Sequence, residues 1–225
     1  MTRVPDHPQA LLDLALDIAN EAATLISDGR RRGLHEVTTK STATDMVTEF
    51  DRLSEQHIVG RLVASRPDDG IVGEEGSSVS GSTGIDWLID PIDGTVNYAN
   101  GIPICCVSIG LEKEGTMHMG CVYNPFLEEL YFAEKGKGAT LNEKPIHVSQ
   151  KTQVIQSCLV TGFPYDAYKN TMHCIDHFVN FLKEGRPVRR LGSAALDLAY
   201  VASGRFDGFW EVKLNPRDVA AGSLI

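Results

Sequence analysis

The chain has 225 residues, 42% of them hydrophobic, and a formal net charge of −9. That length buries a full core, as one large domain or two closely packed subdomains. The acidic balance argues against a nucleic-acid groove, which needs clustered Lys and Arg, but it leaves anionic substrates open, because bound cations reverse the local sign.

Leu11, Leu14, Ala15, Ile18, Ala19, Ala22, Leu25 and Ile26 recur at helical spacing and predict an amphipathic helix over 8–30. Asp6 and Pro8 are start signals, Gly29 or Gly33 a stop, and Arg30, Arg31 and Arg32 a solvated helix end favoured by the dipole. Residues 34–50, rich in Thr and Val, read as extended. A second helix is predicted from about Asp51 to Arg66, with Leu53, Ile58, Leu62 and Val63 on its apolar side. Ile71 and Val72 form a short strand that runs into Gly73, Glu74 and Glu75. Residues 76–84 are Gly- and Ser-rich and read as a slack surface loop.

Trp87, Leu88 and Ile89 read as the end of a buried strand, and Asp90 sits where it stops, because Pro91 has no N–H to continue a ladder. Asp93, Gly94 and Thr95 follow, with side chains suited to turns and caps. Two carboxylates three residues apart on a proline-stiffened turn can converge on one point. They then need a proton or a cation between them, and oxygen-only ligands suit a hard cation such as Mg²⁺. If a helix starts at Thr95, its free N–H groups can hold an anion. Cation ligands beside an anion cradle suggest a phosphate ester.

Beyond that turn, 104–111 with 117–123, and 129–132 with 139–141, read as β-hairpins. Gly136-Lys137-Gly138 lacks the spacing of a phosphate loop and reads as a turn. A strand is predicted over 154–162 and a helix over 170–184; His173 and His177 lie one turn apart there without a third zinc ligand in view. A helix follows from Ser193 to about Gly204, then a strand from Phe206 to Val212 carrying Glu211, and Asp218 begins a last helix. No run approaches a membrane span, and the N-terminus lacks a signal peptide's apolar core. Five cysteines without a framework spacing predict reduced buried thiols in a cytoplasmic protein.

The stretch Trp87-Leu88-Ile89-Asp90-Pro91-Ile92-Asp93-Gly94-Thr95-Val96-Asn97 resembles the first signature of the inositol monophosphatase family, Mg²⁺-dependent and lithium-sensitive phosphatases. Four further blocks resemble the family in the same order. They are Asp45-Met46-Val47-Thr48-Glu49-Phe50-Asp51, Gly73-Glu74-Glu75, Gly192-Ser193-Ala194-Ala195 and Asp218-Val219-Ala220-Ala221-Gly222. The likeness runs from Lys40 to Ile225.

Strands outnumber helices and many are joined by hairpins, so the class is α+β rather than a doubly wound parallel sheet. The resemblance implies the layered αβαβα sandwich of the sugar phosphatases. It also implies one domain over 1–225, with subdomains of roughly 1–150 and 151–225, and a homodimer. It implies two or three Mg²⁺ ions: one on Glu74, Asp90 and the Ile92 carbonyl, a second on Asp90, Asp93 and Asp218, and a weaker third sharing Glu74. By the same likeness Thr95 and Asp51 orient the attacking water, Glu74 contributes as a base, Gly94 and Thr95 hold phosphate oxygens, and Asp93, Ala194, Glu211 and Asp218 contact the substrate. The implied substrate is a small polyol or sugar phosphate, inositol monophosphate foremost. Alternatives are fructose 1,6-bisphosphate, NADP, histidinol phosphate, adenosine 3′,5′-bisphosphate, or a catalytically weakened regulatory binding protein of the same fold.

Two departures stand out. Arg217 replaces the Trp that precedes the second-signature Asp, and the sequence stops inside the last helix where the family continues through a further strand and helix. Adjacent helix residues point about 100° apart, which predicts that Arg217 turns away from Asp218.

Overall fold

Pro8 at the first helical position, with its fixed φ and missing N–H, opens helix α1 (Pro8–Arg32), and Gly33 at φ 87° closes it. The computed structural model describes residues 3–33, 37–39 and 46–225. Lys40 and Asp45, the opening of the early acidic block, lie outside the described residues. One face of α1, from Leu11 through Ile26, is buried. Its basic end is only partly solvated. Arg30 donates to the carbonyls of Gly101 and Ile102 and stacks 4.5 Å over the Phe126 ring, which fixes the helix end to the chain beyond the central turn.

β1 (Val37–Thr39) and β2 (Met46–Thr48) pair antiparallel and lead into α2 (Glu49–Ser65). The predicted apolar side of α2 is corrected: Leu53 and Val63 are 45% and 42% exposed, and the buried stripe is Asp51, Ser54, Glu55, Ile58, Leu62 and Ser65. The inward face follows the three-to-four spacing from Asp51, and polar side chains occupy four of its six positions.

The central sheet comprises β3 (Gly70–Val72), β4 (Ser78–Val79), β5 (Ile85–Asp93), β6 (Cys106–Lys113), β7 (Thr116–Asn124), β8 (Glu129–Glu134), β9 (Gly138–Leu141) and β10 (Lys144–Pro145). The spatial order is β10-β9-β8-β7-β6-β5-β3-β4, antiparallel except where β3 runs parallel to β5. The loop over 76–84 is not slack. β4 pairs with β3, and buried Asp69 accepts from Arg66, from Thr83 Oγ1 at 2.7 Å and from Trp87 Nε1 at 3.0 Å. Pro91 does not end β5 either: pairing with β6 breaks after Asp90 and resumes at Asp93 opposite Cys106, a bulge that absorbs the missing donor.

The short helix α3 (Thr95–Ala99) follows β5. The strand expected from 154 is shorter, because 154–156 form a 3₁₀ turn before β11 (Leu159–Thr161). The helix expected over 170–184 begins only at α4 (Cys174–Lys183), since Asn170, Met172 and His173 take positive φ. β12 (Val188–Arg189), α5 (Ala194–Ala202), β13 (Gly208–Trp210) and α6 (Pro216–Leu224) complete the order. β12-β11-β13 form a small parallel sheet.

α1 and α2 cover one face of the central sheet, and α6 lies on the other beside α5; α5 meets the small sheet, and α4 packs on β12. The layers therefore read αβαβα, in agreement with the expected α+β sandwich. Gly110 and Gly120 let α6 approach, since a Cβ on Gly110 would stand 2.9 Å from Ala220 Cβ and one on Gly120 would overlap the Ala221 carbonyl. The five cysteines are free thiols, four of them buried.

Candidate active site

The bulge in β5 turns Asp90 and Asp93 toward one cleft. Ile92 N–H donates to Asp90 Oδ1 at 3.1 Å, closing a tight turn around Pro91. Gly94 then adopts φ 96°, and a Cβ there would stand 2.9 Å from the Ile104 carbonyl oxygen and 3.1 Å from that of Gly192. Only glycine fits this left-handed, crowded position, and it lets α3 begin at once. Asn97 of α3 donates to the carbonyls of Ile104 and Leu191, both at 2.7 Å, and so ties the turn to the chain leading into α5.

Two helices deliver further acids by the same local device. Asp51 and Asp218 each occupy the third position of a helix and close a capping box with the residue before it. Asp51 Oδ2 accepts from Thr48 N–H at 2.7 Å and Thr48 Oγ1 at 2.6 Å; its Oδ1 accepts from Thr95 Oγ1 at 2.8 Å. Thr95 Oγ1 also lies 3.1 Å from the Ile92 carbonyl. Its single proton given to Asp51 leaves the hydroxyl lone pairs free to accept from a water. Burial pushes the Asp51 carboxyl up, against the bonds from Thr48 and Thr95. Asp51 stands behind Thr95 rather than on the pocket wall.

Asp93 is clamped from the second half of the chain. Ser193 Oγ and Ala195 N–H both donate to its Oδ2 at 2.7 Å, and Cys106 Sγ lies 3.9 Å from the same atom. Oδ2 is thereby committed, and Oδ1 is the oxygen left for a ligand. Ser193 is also the cap of α5, accepting from Leu196 N–H at 3.4 Å. Ser193→Ala is therefore expected to cost about 1 kcal/mol of stability and to raise the Mg²⁺ needed for half-saturation about tenfold by freeing Asp93 to turn. Ser193→Thr should restore both. Thermal unfolding and calorimetric Mg²⁺ titration check this; an unchanged Mg²⁺ requirement in the Ala variant would show that the hydroxyl does not orient Asp93.

Glu74 is placed by a residue that the sequence pattern did not single out. Buried Glu55 of α2 accepts from the backbone N–H groups of Glu74 and Glu75, both at 2.7 Å, and of Ser77 at 3.0 Å. The one signal available was an acid on the helix face shared with Ile58 and Leu62. Ser193 and Asn97 stand within the family-like motifs, but no pattern in the sequence shows that they bridge distant segments.

These groups line a pocket of about 550 Å³ with Glu74, Asp90, Ile92, Asp93, Gly94 and Thr95 on its wall, together with Ala194, Glu211 and Asp218. Every expected site residue thus meets there except Asp51, which reaches it through Thr95. Burial, then Glu74 and Asp93, drive Asp90 well above the usual carboxylate range, and its side chain lies within hydrogen-bonding reach of Glu74. Burial, resisted by Ser193 and Ala195 and reinforced by Asp218 and Glu74, pushes Asp93 up to about 7. Asp218 is raised by burial and by Glu74 against its bonds to Asn215 and the charge of Arg217. Glu211 rises to about 7 through burial and the Asp93 charge, with Arg190 opposing. Among the described residues no three acids form a closed cation cage. The donor set still fits divalent cations. Asp90 and Asp93 are raised by neighbouring acids with no basic side chain opposing them, and Asp93 and Asp218 each commit one oxygen to protein donors and present the other.

Arg217 is a correction. It lines this pocket rather than turning away, with Nε 3.7 Å from Asp218 Oδ1. It stands at the second helical position, one residue before Asp218, and the angular offset of one residue still leaves both side chains on the pocket wall.

A family model described as the inositol monophosphatase family matches residues 7–225. Among curated proteins, the inositol-1-monophosphatase of Synechocystis sp. is 44% identical over 228 aligned positions, covering 98% of this chain and 77% of that protein. The Nus factor SuhB of Pasteurella multocida is 38% identical over 216, covering 96% and 81%. Among solved structures, the extragenic suppressor protein suhB from Bartonella henselae superposes with a TM-score of 0.89 at 37% identity, covering 96% of this chain and 83% of that one. The Thermotoga maritima IMPase gives 0.82 at 33%, covering 94% and 80%.

Proposed function

The chain belongs to the inositol monophosphatase family, and from that premise we propose that it is a Mg²⁺-dependent phosphomonoesterase of a small polyol or sugar phosphate, inositol monophosphate foremost. The observation that carries this reading is the convergence of Glu74, Asp90, Asp93 and Asp218 on one pocket beside the Thr95–Asp51 pair.

Glu74, Asp90 and the Ile92 carbonyl would hold one cation, Asp90, Asp93 and Asp218 a second, and Glu74 would share a weaker third. Bound there, Mg²⁺ supplies charge that stabilises the phosphoryl group and its leaving oxygen and eases deprotonation of water. Thr95 Oγ orients the attacking water with a lone pair and relays its proton to Asp51, while Glu74 assists as a base. Gly94 and Thr95 N–H groups receive phosphate oxygens. Asp93, Ala194, Glu211 and Asp218 face the alcohol portion, where Glu211 accepts from a ring hydroxyl.

The domain arrangement follows the same reading: one domain over 1–225, with subdomains of roughly 1–150 and 151–225, joined at this pocket and forming a cytoplasmic homodimer without a nucleic-acid partner. No helix among the described residues is long and apolar enough to cross a membrane. A second reading, a catalytically weakened binding protein of the same fold, draws on Arg217 beside Asp218 and on relatives named as a Nus factor.

The test is a panel of phosphate esters: inositol monophosphate, fructose 1,6-bisphosphate, NADP, histidinol phosphate and adenosine 3′,5′-bisphosphate. Release of phosphate is expected to be greatest with inositol monophosphate and, at limiting Mg²⁺, to fall with added Li⁺ occupying the weakly held second cation site. Turnover of none of the panel would favour the binding protein.

A further inference from the structure

The pocket holds a cation that the phosphatase reading does not use. Lys169, Arg190, Lys213 and Arg217 all line it. Lys213 is committed to Asp166 at 2.8 Å, Lys169 lies over the Tyr168 ring at 5.5 Å, and Arg190 is exposed and faces Glu211 and Asp197. Arg217 differs from all three. Its side chain is largely covered, yet its Nε–H has no hydrogen-bond partner. The nearest acid, Asp218, stands 3.7 Å from it, too far for the bidentate pair that guanidinium and carboxylate prefer. Asp218 Oδ2 meanwhile accepts from Asn215 N–H at 2.6 Å and from Asn215 Nδ2 at 3.1 Å. A partly covered guanidinium on the wall of a pocket, whose Nε–H finds no acceptor inside the protein, is matched to an acceptor that arrives with a ligand.

We propose that Arg217 is a substrate-binding residue whose guanidinium donates to an oxygen of the phosphoryl group seated in this pocket. The inference rests on the phosphatase reading and goes beyond it, since it assigns a phosphate contact to the residue at which the sequence leaves the family motif. The open Oδ1 of Asp218 is the atom a cation would take. If a cation were held there it would repel Arg217 and compete for the acid, leaving the guanidinium in need of another anion within reach. A phosphoryl oxygen bound beside the same carboxylate is that anion. Planar paired donors suit it better than an ammonium would.

The experiment is calorimetric binding of inorganic phosphate to the intact chain in saturating Mg²⁺, paired with steady-state kinetics, for wild type, Arg217→Lys and Arg217→Met. Loss of charge-assisted donors is expected to weaken phosphate roughly tenfold or more in Arg217→Met, with Arg217→Lys recovering part of it. KM should rise by a similar factor for inositol monophosphate and for fructose 1,6-bisphosphate alike. Three outcomes overturn the proposal. An unchanged phosphate dissociation constant with tighter Mg²⁺ binding makes Arg217 only a counter-ion of Asp218. A KM increase confined to the bisphosphate moves the contact to a second anionic group. A changed melting temperature with neither binding constant altered makes the residue structural. Failure of the phosphatase reading is separately visible as absent turnover in wild type, and the phosphate titration reads Arg217 in that case too.

Discussion

Asp93→Asn is expected to lower phosphate release by roughly two orders of magnitude or more while leaving the fold intact. The geometry separates the two effects. Ser193 Oγ and Ala195 N–H both donate to Oδ2, and an asparagine carbonyl oxygen accepts both in the same place. Its NH₂ group then occupies the position of Oδ1, where a donor faces the pocket instead of an acceptor and no cation can be ligated. The folded protein loses little, because one charge is removed from a crowded set of acids that raise one another. In EDTA the variant should melt at or above the wild-type temperature. Initial rates in saturating Mg²⁺ and thermal denaturation check the pair of expectations; turnover within a factor of about two of wild type would remove Asp93 from the mechanism.

Glu55→Ala is expected to be the most destabilising single change near the site. Three backbone N–H groups converge on a carboxylate that is 2% exposed. Hydrogen bonds to charged groups contribute about 1.5–3 kcal/mol each and are not additive, so a total loss of about 3 kcal/mol or more is expected. That corresponds to a fall in melting temperature of roughly 6–12 °C for a chain of this size. A Cβ on Gly73 would stand 2.7 Å from the same carboxylate, so the loop and the acid are fitted to each other. With the loop released, Glu74 loses its fixed position, and the Mg²⁺ concentration for half-maximal activity should rise together with the loss of stability. Scanning calorimetry decides the first point; a melting temperature within about 2 °C of wild type would show that water replaces the carboxylate without cost.

The contrast between these two acids shows what the sequence made legible. Asp93 follows an apolar strand, a proline and a second acid, so both its place at a strand end and its chemistry could be read from neighbours in the chain. Thr95 is readable in the same way, whereas the roles of Glu74 and Asp218, acids at the ends of recognisable elements, come from the resemblance to the family. Glu55 carries the opposite lesson. It lies mid-helix, where an acid normally faces solvent, and its burial depends on a loop some twenty residues away that needs an acceptor. Ile58 and Leu62 are buried as hydrophobicity predicts, but Leu53 and Val63 are not, because the inward stripe of the helix continues through polar residues that serve the site.

Backbone detail was legible where local chemistry decides it and hidden where pairing does. Pro8 and Gly33 mark the ends of α1 correctly. Pro91 suggested the end of a strand, but the neighbouring strand β6 resumes pairing beyond it through a bulge. Residues 78–79 read as loop from their composition, yet β3 offers an open edge and they take it. Arg217 was expected to turn outward from helical geometry, a rule that assumes a straight helix already begun. At the second helical position, one residue before Asp218, it shares the pocket wall with that acid instead.

The most direct test of the central claim is the release of phosphate from inositol monophosphate as Mg²⁺ is returned to protein stripped with EDTA. The account predicts no turnover in the stripped protein, saturable recovery as Mg²⁺ rises, and no recovery in Asp93→Asn at the Mg²⁺ concentration that restores wild type. Full activity in EDTA, or equal recovery in the variant, would contradict it.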